Sequence, residues 1–157
     1  MGMDFDFSML KPMDILDLAI FVEEEAQEHY EQLATWVQEP SDEKVLSFLK
    51  RMAGLEALHR QQLAELREKK FGSTPPNYTS NIAWEVEMPD YEKVGDTLSL
   101  PQALELAVES EDRAYEYYTE AKEYFSDEES LDLLEKLRMS ELDHKRMLQD
   151  EIARLKG

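Results

Sequence analysis

Glu56-Ala-Leu-His59 and Glu141-Leu-Asp-His144 are two copies of one pattern, Glu-x-x-His, and each lies in a segment rich in helix-forming residues. Residues three apart lie about 60° apart around a helix, so the Glu and the His of each copy share one face. Apolar residues recur on that same face in both segments, which indicates that it is buried. A carboxylate buried without a partner costs several kcal/mol, and bound metal is the most economical explanation for both copies.

An internal repeat extends this pattern to two further helical segments. Glu23-x-x-Ala-x-x-x-Tyr30 matches Glu111-x-x-Ala-x-x-x-Tyr118, and a Glu-x-x-His follows each of them at a similar distance. Such self-similarity indicates two related halves, each built from a pair of helices. Helical periodicity alone would not place a Glu on the inward face of all four helices.

The composition fits one compact helical domain that spans residues 1–157. Of these residues, 42% are hydrophobic and 34% are charged, and glycine and proline are few, which favours helices around an apolar core. The net charge of −19 argues against nucleic acid and anionic membranes as partners, because no basic patch is available to neutralise phosphates.

Cysteine usage and the N-terminal residues narrow the class of protein further. The sequence has no cysteine, which excludes disulfides, thiolate zinc sites, iron–sulfur clusters and thiol nucleophiles. The longest apolar run near the N-terminus, residues 18–22, is far too short to span a bilayer, and no basic stretch precedes it. We therefore expect a soluble, cytoplasmic protein.

Start and stop signals divide the chain into four helices. Pro12 suits a first helical turn, Gly72 suits a helix end, and Ser99 and Ser126 each begin a capping box. The predicted helices span residues 12–38, 41–70, 100–125 and 127–155. Residues 71–99 have no helical period, and a crossover between the two ends of a bundle explains so long a loop. The predicted fold is all-α: an antiparallel four-helix bundle with one long crossover between helices 2 and 3.

One inward Glu on each helix, together with two histidines, completes a candidate metal site. In helix 1, Glu24 and Glu25 rotate toward solvent, which leaves Glu23 on the face of Ala26 and Tyr30. The candidate ligands are Glu23, Glu56, His59, Glu111, Glu141 and His144. Four carboxylates balance two divalent cations, and this mixed carboxylate and imidazole set suits two Fe ions, with Mn or Zn as substitutes. The same constellation is typical of ferritin-like di-iron and di-manganese bundles.

Three further side chains lie near this set. Tyr30 and Tyr118 lie two turns beyond the first Glu of each half, where each could pack in the core and donate a hydrogen bond to a buried carboxylate. The alternative role, compatible with the first, is to orient a ligand or relay an electron. His29 lies on the flank of helix 1, and we expect it at the surface or rim of the bundle.

The four helical segments resemble those of rubrerythrin-type members of the ferritin-like superfamily. The resemblance covers roughly residues 12–155. It is carried by Glu23-Glu-Glu-Ala-Gln-Glu-His-Tyr30, Glu56-Ala-Leu-His59, Glu111-Asp-Arg-Ala-Tyr-Glu-Tyr-Tyr118 and Glu141-Leu-Asp-His144. It implies a di-iron centre that reacts with hydrogen peroxide or dioxygen.

Two departures from the rubrerythrin pattern bear on activity. Rubrerythrins proper carry a rubredoxin-like domain that holds an iron with four cysteines, whereas this sequence has no cysteine, so its electron donor would be a separate partner or absent. Rubrerythrins also carry an extra ligand Glu one turn after the first Glu of the third helix, and Ala114 occupies that position here. The six-ligand set that remains is closer to the bacterioferritin type.

The sequence favours a non-haem di-iron, or di-manganese, oxidoreductase that reacts with hydrogen peroxide or dioxygen. The six candidate ligands would act catalytically through the metals. Two alternatives remain open: a protein that oxidises iron and stores it or passes it on, and a bundle in which the metal is only a structural staple. The expected assembly is an isologous homodimer.

Overall fold

Four long helices form the architecture of the chain in the computed structural model, which describes residues 7–36, 43–77 and 99–157. They are α1 (Pro12–Trp36), α2 (Glu43–Phe71), α3 (Leu100–Ala121) and α4 (Glu128–Lys156). Short 3-10 turns, Phe7–Met9 and Lys122–Tyr124, precede α1 and follow α3. The described residues contain no strand, so the predicted all-α four-helix bundle is confirmed. Among these helices, none has the length and apolar character needed to cross a membrane.

The helix ends follow the local signals closely. α1 begins at Pro12, and α2 ends just before Gly72, whose φ of 62° is the left-handed conformation that glycine adopts without strain. Ser99 caps α3 through a complete capping box with Gln102. The α-helical part of α3 stops at Ala121, short of residue 125, because its last turn tightens to 3-10 geometry. The predicted ends at residues 38 and 41 lie outside the described residues.

The N-terminus of α4 departs from the predicted cap by one residue. Asp127, and not Ser126, is the N-cap, and its carboxylate accepts a hydrogen bond from the backbone N–H of Ser130 at 3.0 Å. Carboxylates and hydroxyls are comparable as N-cap acceptors. Asp127 also pairs with Lys70 of α2 at 2.9 Å, and this contact between helices favours it over its neighbour.

The helices pack most extensively in two pairs, α1 with α2 and α3 with α4. Two apolar clusters fill the bundle. The first cluster includes Ile15, Leu18, Leu63, Tyr117 and Leu134. The second cluster includes Leu33, Leu49, Met52, Leu104 and Leu148. Along every helix, the predicted ligands fall between residues of the first cluster and residues of the second, so the bundle holds one polar layer between two apolar ones.

A buried ion pair connects α1 to α2 near the C-terminal end of α2. Arg67 donates through Nε to Asp17 Oδ1 at 2.7 Å, and both side chains are buried. The two Nη atoms of Arg67 donate to the backbone carbonyls of Gly72 and Thr74 at 2.9 Å and 2.6 Å. These bonds hold the start of the crossover against the bundle, and its remainder, residues 78–98, lies outside the described residues.

Candidate metal centre

Six polar side chains meet in the layer between the two apolar clusters. α1 and α3 contribute one Glu each, and α2 and α4 contribute a Glu and a His each. They are the six predicted ligands, Glu23, Glu56, His59, Glu111, Glu141 and His144. None of them exposes more than 4% of its surface. The helical spacing read from the sequence therefore brings all six residues to one place.

The cluster divides into two overlapping groups of four potential ligands. Within each group, one donor atom per residue can be chosen so that all lie within 4.8 Å of one another. The groups are Glu23, Glu56, His59 and Glu141, and Glu56, Glu111, Glu141 and His144. Glu56 and Glu141 belong to both groups, so their position suits carboxylates that bridge two cations. Each of the other four residues belongs to one group only.

The two imidazole rings stack against each other within the cluster. Their ring centroids are 5.4 Å apart, and the rings are nearly parallel, at 8°. His59 Nδ1 lies 3.7 Å from Glu23 Oε2 and 3.8 Å from Glu141 Oε1. His144 Nδ1 lies 2.8 Å from Glu56 Oε1, but without the angles of a hydrogen bond. The donor atoms thus converge on a shared space and do not pair with one another.

Two tyrosines hold the outer carboxylates, and each reaches across the bundle to do so. Tyr118 of α3 donates its hydroxyl to Glu23 Oε1 of α1 at 2.5 Å. Tyr30 of α1 donates to Glu111 Oε1 of α3 at 2.6 Å. A bond from each hydroxyl to a buried carboxylate is one of the roles expected from the sequence. The sequence did not predict that each tyrosine would bond to the carboxylate of the other helix. Spacing along one helix does not identify the helix that lies opposite.

One polar atom on each of the six side chains is buried and has no hydrogen-bond partner in the described part of the chain. These atoms are Glu23 Oε2, Glu56 Oε1, His59 Nδ1, Glu111 Oε2, Glu141 Oε1 and His144 Nδ1. Buried polar atoms are nearly always paired, and leaving one unpaired costs about 1–3 kcal/mol. Six such atoms, all oxygen or imidazole nitrogen, fit a donor set that binds Fe, Mn or Zn.

Burial and mutual repulsion perturb the titration of the carboxylates. Burial, followed by repulsion from neighbouring carboxylates, raises the pKa of Glu56 and of Glu141 well above the usual range. Burial also acts to raise the pKa of Glu23, but contacts with His59, Glu56 and Tyr118 outweigh it and lower that pKa. The two carboxyl groups shared by both groups therefore hold protons more tightly than an ordinary Glu does, and a bound cation would compete with those protons.

A narrow cavity between α1 and α3 reaches the cluster. Its lining includes the four buried carboxylates and buried Ala114, together with the half-buried Ala26, His29 and Ser110. His29 lies at the rim, as expected, with 12% of its side chain exposed and Nε2 3.6 Å from Glu25 Oε2. Ser110 was not identified from the sequence. It directly precedes Glu111, and this position indicates a place near the site once α1 is known to lie opposite α3.

A four-helix bundle with one long crossover, in which each half supplies a Glu and a Glu-x-x-His, belongs to the ferritin-like class. The profile of the Rubrerythrin family matches residues 14–152, which is most of the chain. The chain therefore belongs to the rubrerythrin family. Among curated proteins, no match was found.

Solved structures of similar fold include three that cover nearly the whole chain. A Dps mutant from Listeria innocua has a TM-score of 0.76 and 15% identity, and the match covers 92% of this chain and 94% of that one. A dodecameric thioferritin, a bacterioferritin-related protein from Bacteroides fragilis, has a TM-score of 0.72 and 22% identity, covering 97% and 90%. An uncharacterized conserved protein from Magnetospirillum magnetotacticum MS-1 has a TM-score of 0.70 and 26% identity, covering 90% and 93%. These likenesses confirm the predicted ferritin-like fold.

Proposed function

We propose that this chain is a non-haem di-iron, or di-manganese, oxidoreductase that reacts with hydrogen peroxide or dioxygen. The observation that carries the proposal is the set of six unpaired donor atoms, from four carboxylates and two imidazoles, that converge between the apolar clusters. Membership of the rubrerythrin family supports it. Four carboxylates neutralise two divalent cations, so the filled site would carry no net charge.

Each of the two overlapping groups of ligands would bind one of the two cations. Glu23 and His59 would hold one ion, Glu111 and His144 the other, and Glu56 and Glu141 would bridge both. When bound, the metals supply electrons from Fe(II) or Mn(II) and Lewis acidity toward the oxidant.

The protein's own contribution is to position donors and manage protons. The hydroxyls of Tyr118 and Tyr30 hold Glu23 Oε1 and Glu111 Oε1, which leaves the Oε2 atom of each carboxylate available to a cation. Glu56 has a raised pKa in the metal-free site, so cation binding there would release a proton from this carboxyl group. The apolar clusters on both sides keep bulk water away from the cluster.

Residues 1–157 contain no cysteine with which to hold an iron–sulfur centre, so we propose that electrons for repeated turnover come from a donor outside this domain. We also propose that the chain assembles into a homo-oligomer, for which a homodimer is the simplest form.

The proposed activity is tested by stopped-flow mixing of the reduced, metal-loaded protein with hydrogen peroxide. We expect the absorption of the metal to change at a rate that rises with peroxide concentration. A Glu56→Ala variant, which removes a shared carboxylate, is expected to abolish the change. If the metal is present but peroxide leaves its spectrum unaltered, while chelation lowers the melting temperature, the metal is a structural staple and the proposal is wrong.

A second candidate function, iron oxidation and handling, is favoured by Ala114. Without a Glu at this position, the six-ligand set is closer to the bacterioferritin type than to rubrerythrin. Storage requires a shell of many subunits, so sedimentation separates the two functions. A dimer excludes a ferritin-like store, whereas a shell of roughly 24 subunits, or a dodecamer like the thioferritin, would favour iron handling.

A further inference from the structure

The cavity between α1 and α3 approaches the cluster from its carboxylate side. All four carboxylates border the cavity, whereas neither His59 nor His144 is among its described lining residues. The two imidazoles stack against each other on the α2 and α4 side. A small molecule that enters through this cavity therefore meets the carboxylates first.

The cavity is narrow enough to select molecules by size. Its volume is only about 10 Å³, which is at the lower limit for holding a single water. Drug-sized ligands occupy pockets of several hundred Å³. Hydrogen peroxide and dioxygen, with two heavy atoms each, would need only a slight widening of this route, whereas an organic hydroperoxide would need a much larger one.

Two alanines at equivalent positions of the internal repeat keep the route open. Ala26 of α1 lies three residues after Glu23, and Ala114 of α3 lies three residues after Glu111. Both alanines line the cavity, and Ala114 is buried while Ala26 is half-buried. Because each contributes only a methyl group, a larger side chain at either position would fill the passage beside the carboxylates.

The outer part of the cavity is polar without carrying a permanent positive charge. His29 and Ser110 border it there. Burial lowers the pKa of His29 to about 4, so its imidazole is neutral near pH 7. This polar and uncharged lining is compatible with a small, neutral, polar molecule such as hydrogen peroxide.

We propose that this cavity is the access route of the oxidant and that Ala26 and Ala114 determine which oxidants pass. Hydrogen peroxide and dioxygen reach the metals through it, and bulky organic hydroperoxides do not. This inference rests on the proposed function, since it takes the six side chains to be the metal ligands.

Valine substitutions test the proposal, with azide as a small probe of access to the metals. Ala114→Val and Ala26→Val are expected to bind as much metal as the wild type. They should slow the binding of azide to the oxidised, iron-loaded protein, followed by stopped-flow absorption, and slow the reaction with hydrogen peroxide, each by about tenfold or more. Ala121→Val is the matched control, because Ala121 is a buried alanine two turns further along α3 that does not line the cavity. Ala121→Val should leave the rates of azide binding and of the peroxide reaction unchanged.

Substrate size gives a second readout. The wild type should react with cumene hydroperoxide at least about a hundredfold more slowly than with hydrogen peroxide, and Ala114→Gly should narrow that difference. Thermal unfolding of each variant checks that it is folded, and half-buried Ala26 provides a milder site if Ala114→Val is unstable. If the folded valine variants bind azide and react with peroxide at wild-type rates, the proposed access route is wrong and the proposed function is unaffected. A wild-type protein that binds only trace metal would instead overturn the proposed function.

Discussion

Neighbouring tyrosines on α3 differ in what their hydroxyls contact. Tyr118 donates to Glu23 Oε1 in the cluster, whereas Tyr117 donates to the backbone carbonyl of Ile15 at 2.6 Å. Partners that orient a ligand typically contribute 10–100-fold to metal affinity. Tyr118→Phe is therefore expected to weaken metal binding by about 10–100-fold, as measured by competition with a chelator.

Tyr117→Phe is the matched control for this prediction. It removes one buried hydrogen bond away from the cluster, so it should lower the free energy of unfolding by about 1 kcal/mol and leave metal affinity unchanged. Equal losses of metal affinity in the two variants would show that Tyr118 acts only through packing.

The raised pKa values of Glu56 and Glu141 make stability depend on pH. In the metal-free protein, the folded state holds these protons more tightly than the unfolded chain does. The resulting stabilisation is complete below the unfolded pKa of 4.5 and is lost as the pH rises through the folded values. We therefore expect the metal-free protein to melt at a lower temperature at pH 8 than at pH 5.

Metal should reverse this trend, because cations compete with the same protons. Added Mn(II) is expected to raise the melting temperature more at pH 8 than at pH 5. The double variant Glu56→Gln, Glu141→Gln retains neutral side chains at both positions, so its melting temperature should vary less with pH. If the double variant keeps the wild-type pH dependence of the melting temperature, groups other than Glu56 and Glu141 cause that dependence.

Helical periodicity was enough to predict which polar residues lie on inward faces. A Glu or a His on an inward helical face is recognisable from spacing alone, and the six candidate ligands do lie together, whereas their binding of metal stays a prediction. The exchange of partners between Tyr30 and Tyr118, and the cavity beside Ala114, depend on which helix lies opposite and at what distance. Neither quantity is contained in the pattern of one helix.

At the scale of single helices, the cap of α4 provides a direct test of the structure. Asp127→Ala removes the acceptor of the Ser130 N–H bond, and we expect it to lower the free energy of unfolding by about 1 kcal/mol. Ser126→Ala should have almost no effect. Asp127→Asn keeps a capping acceptor but loses the charge that pairs with Lys70, so it separates the cap from the ion pair. Chemical denaturation of the three variants measures the difference, and a larger loss for Ser126→Ala would contradict the observed cap.

Helix identity was easier to predict from the sequence than helix ends. Pro12, Gly72 and Ser99 act as the sequence indicates, because each has a strong local preference for the position it occupies. At residues 126 and 127, two good capping residues compete, and a contact with another helix decides between them. The tightening of α3 after Ala121 has no comparable local signal.

For the whole molecule, one polar layer between two apolar clusters accounts for both the fold and the candidate site. The internal repeat supplies half of the layer from each helix pair, and the two halves meet between the apolar clusters. The fold could be predicted because this repeat, the apolar periodicity and the long central loop all favour one topology. The oligomeric state could not, because the helical pattern identifies the face that each helix buries in its own bundle and not a face shared with another chain.

The stoichiometry of metal binding decides whether the six side chains form one centre. Metal-free protein would be titrated anaerobically with Fe(II), desalted, and its iron content measured against protein. We expect saturation at about two ions per chain, and we expect loss of nearly all tightly bound iron in the double variant Glu56→Ala, Glu141→Ala. Binding that never exceeds a trace, or full iron content in the double variant, would contradict a two-metal site built from these residues.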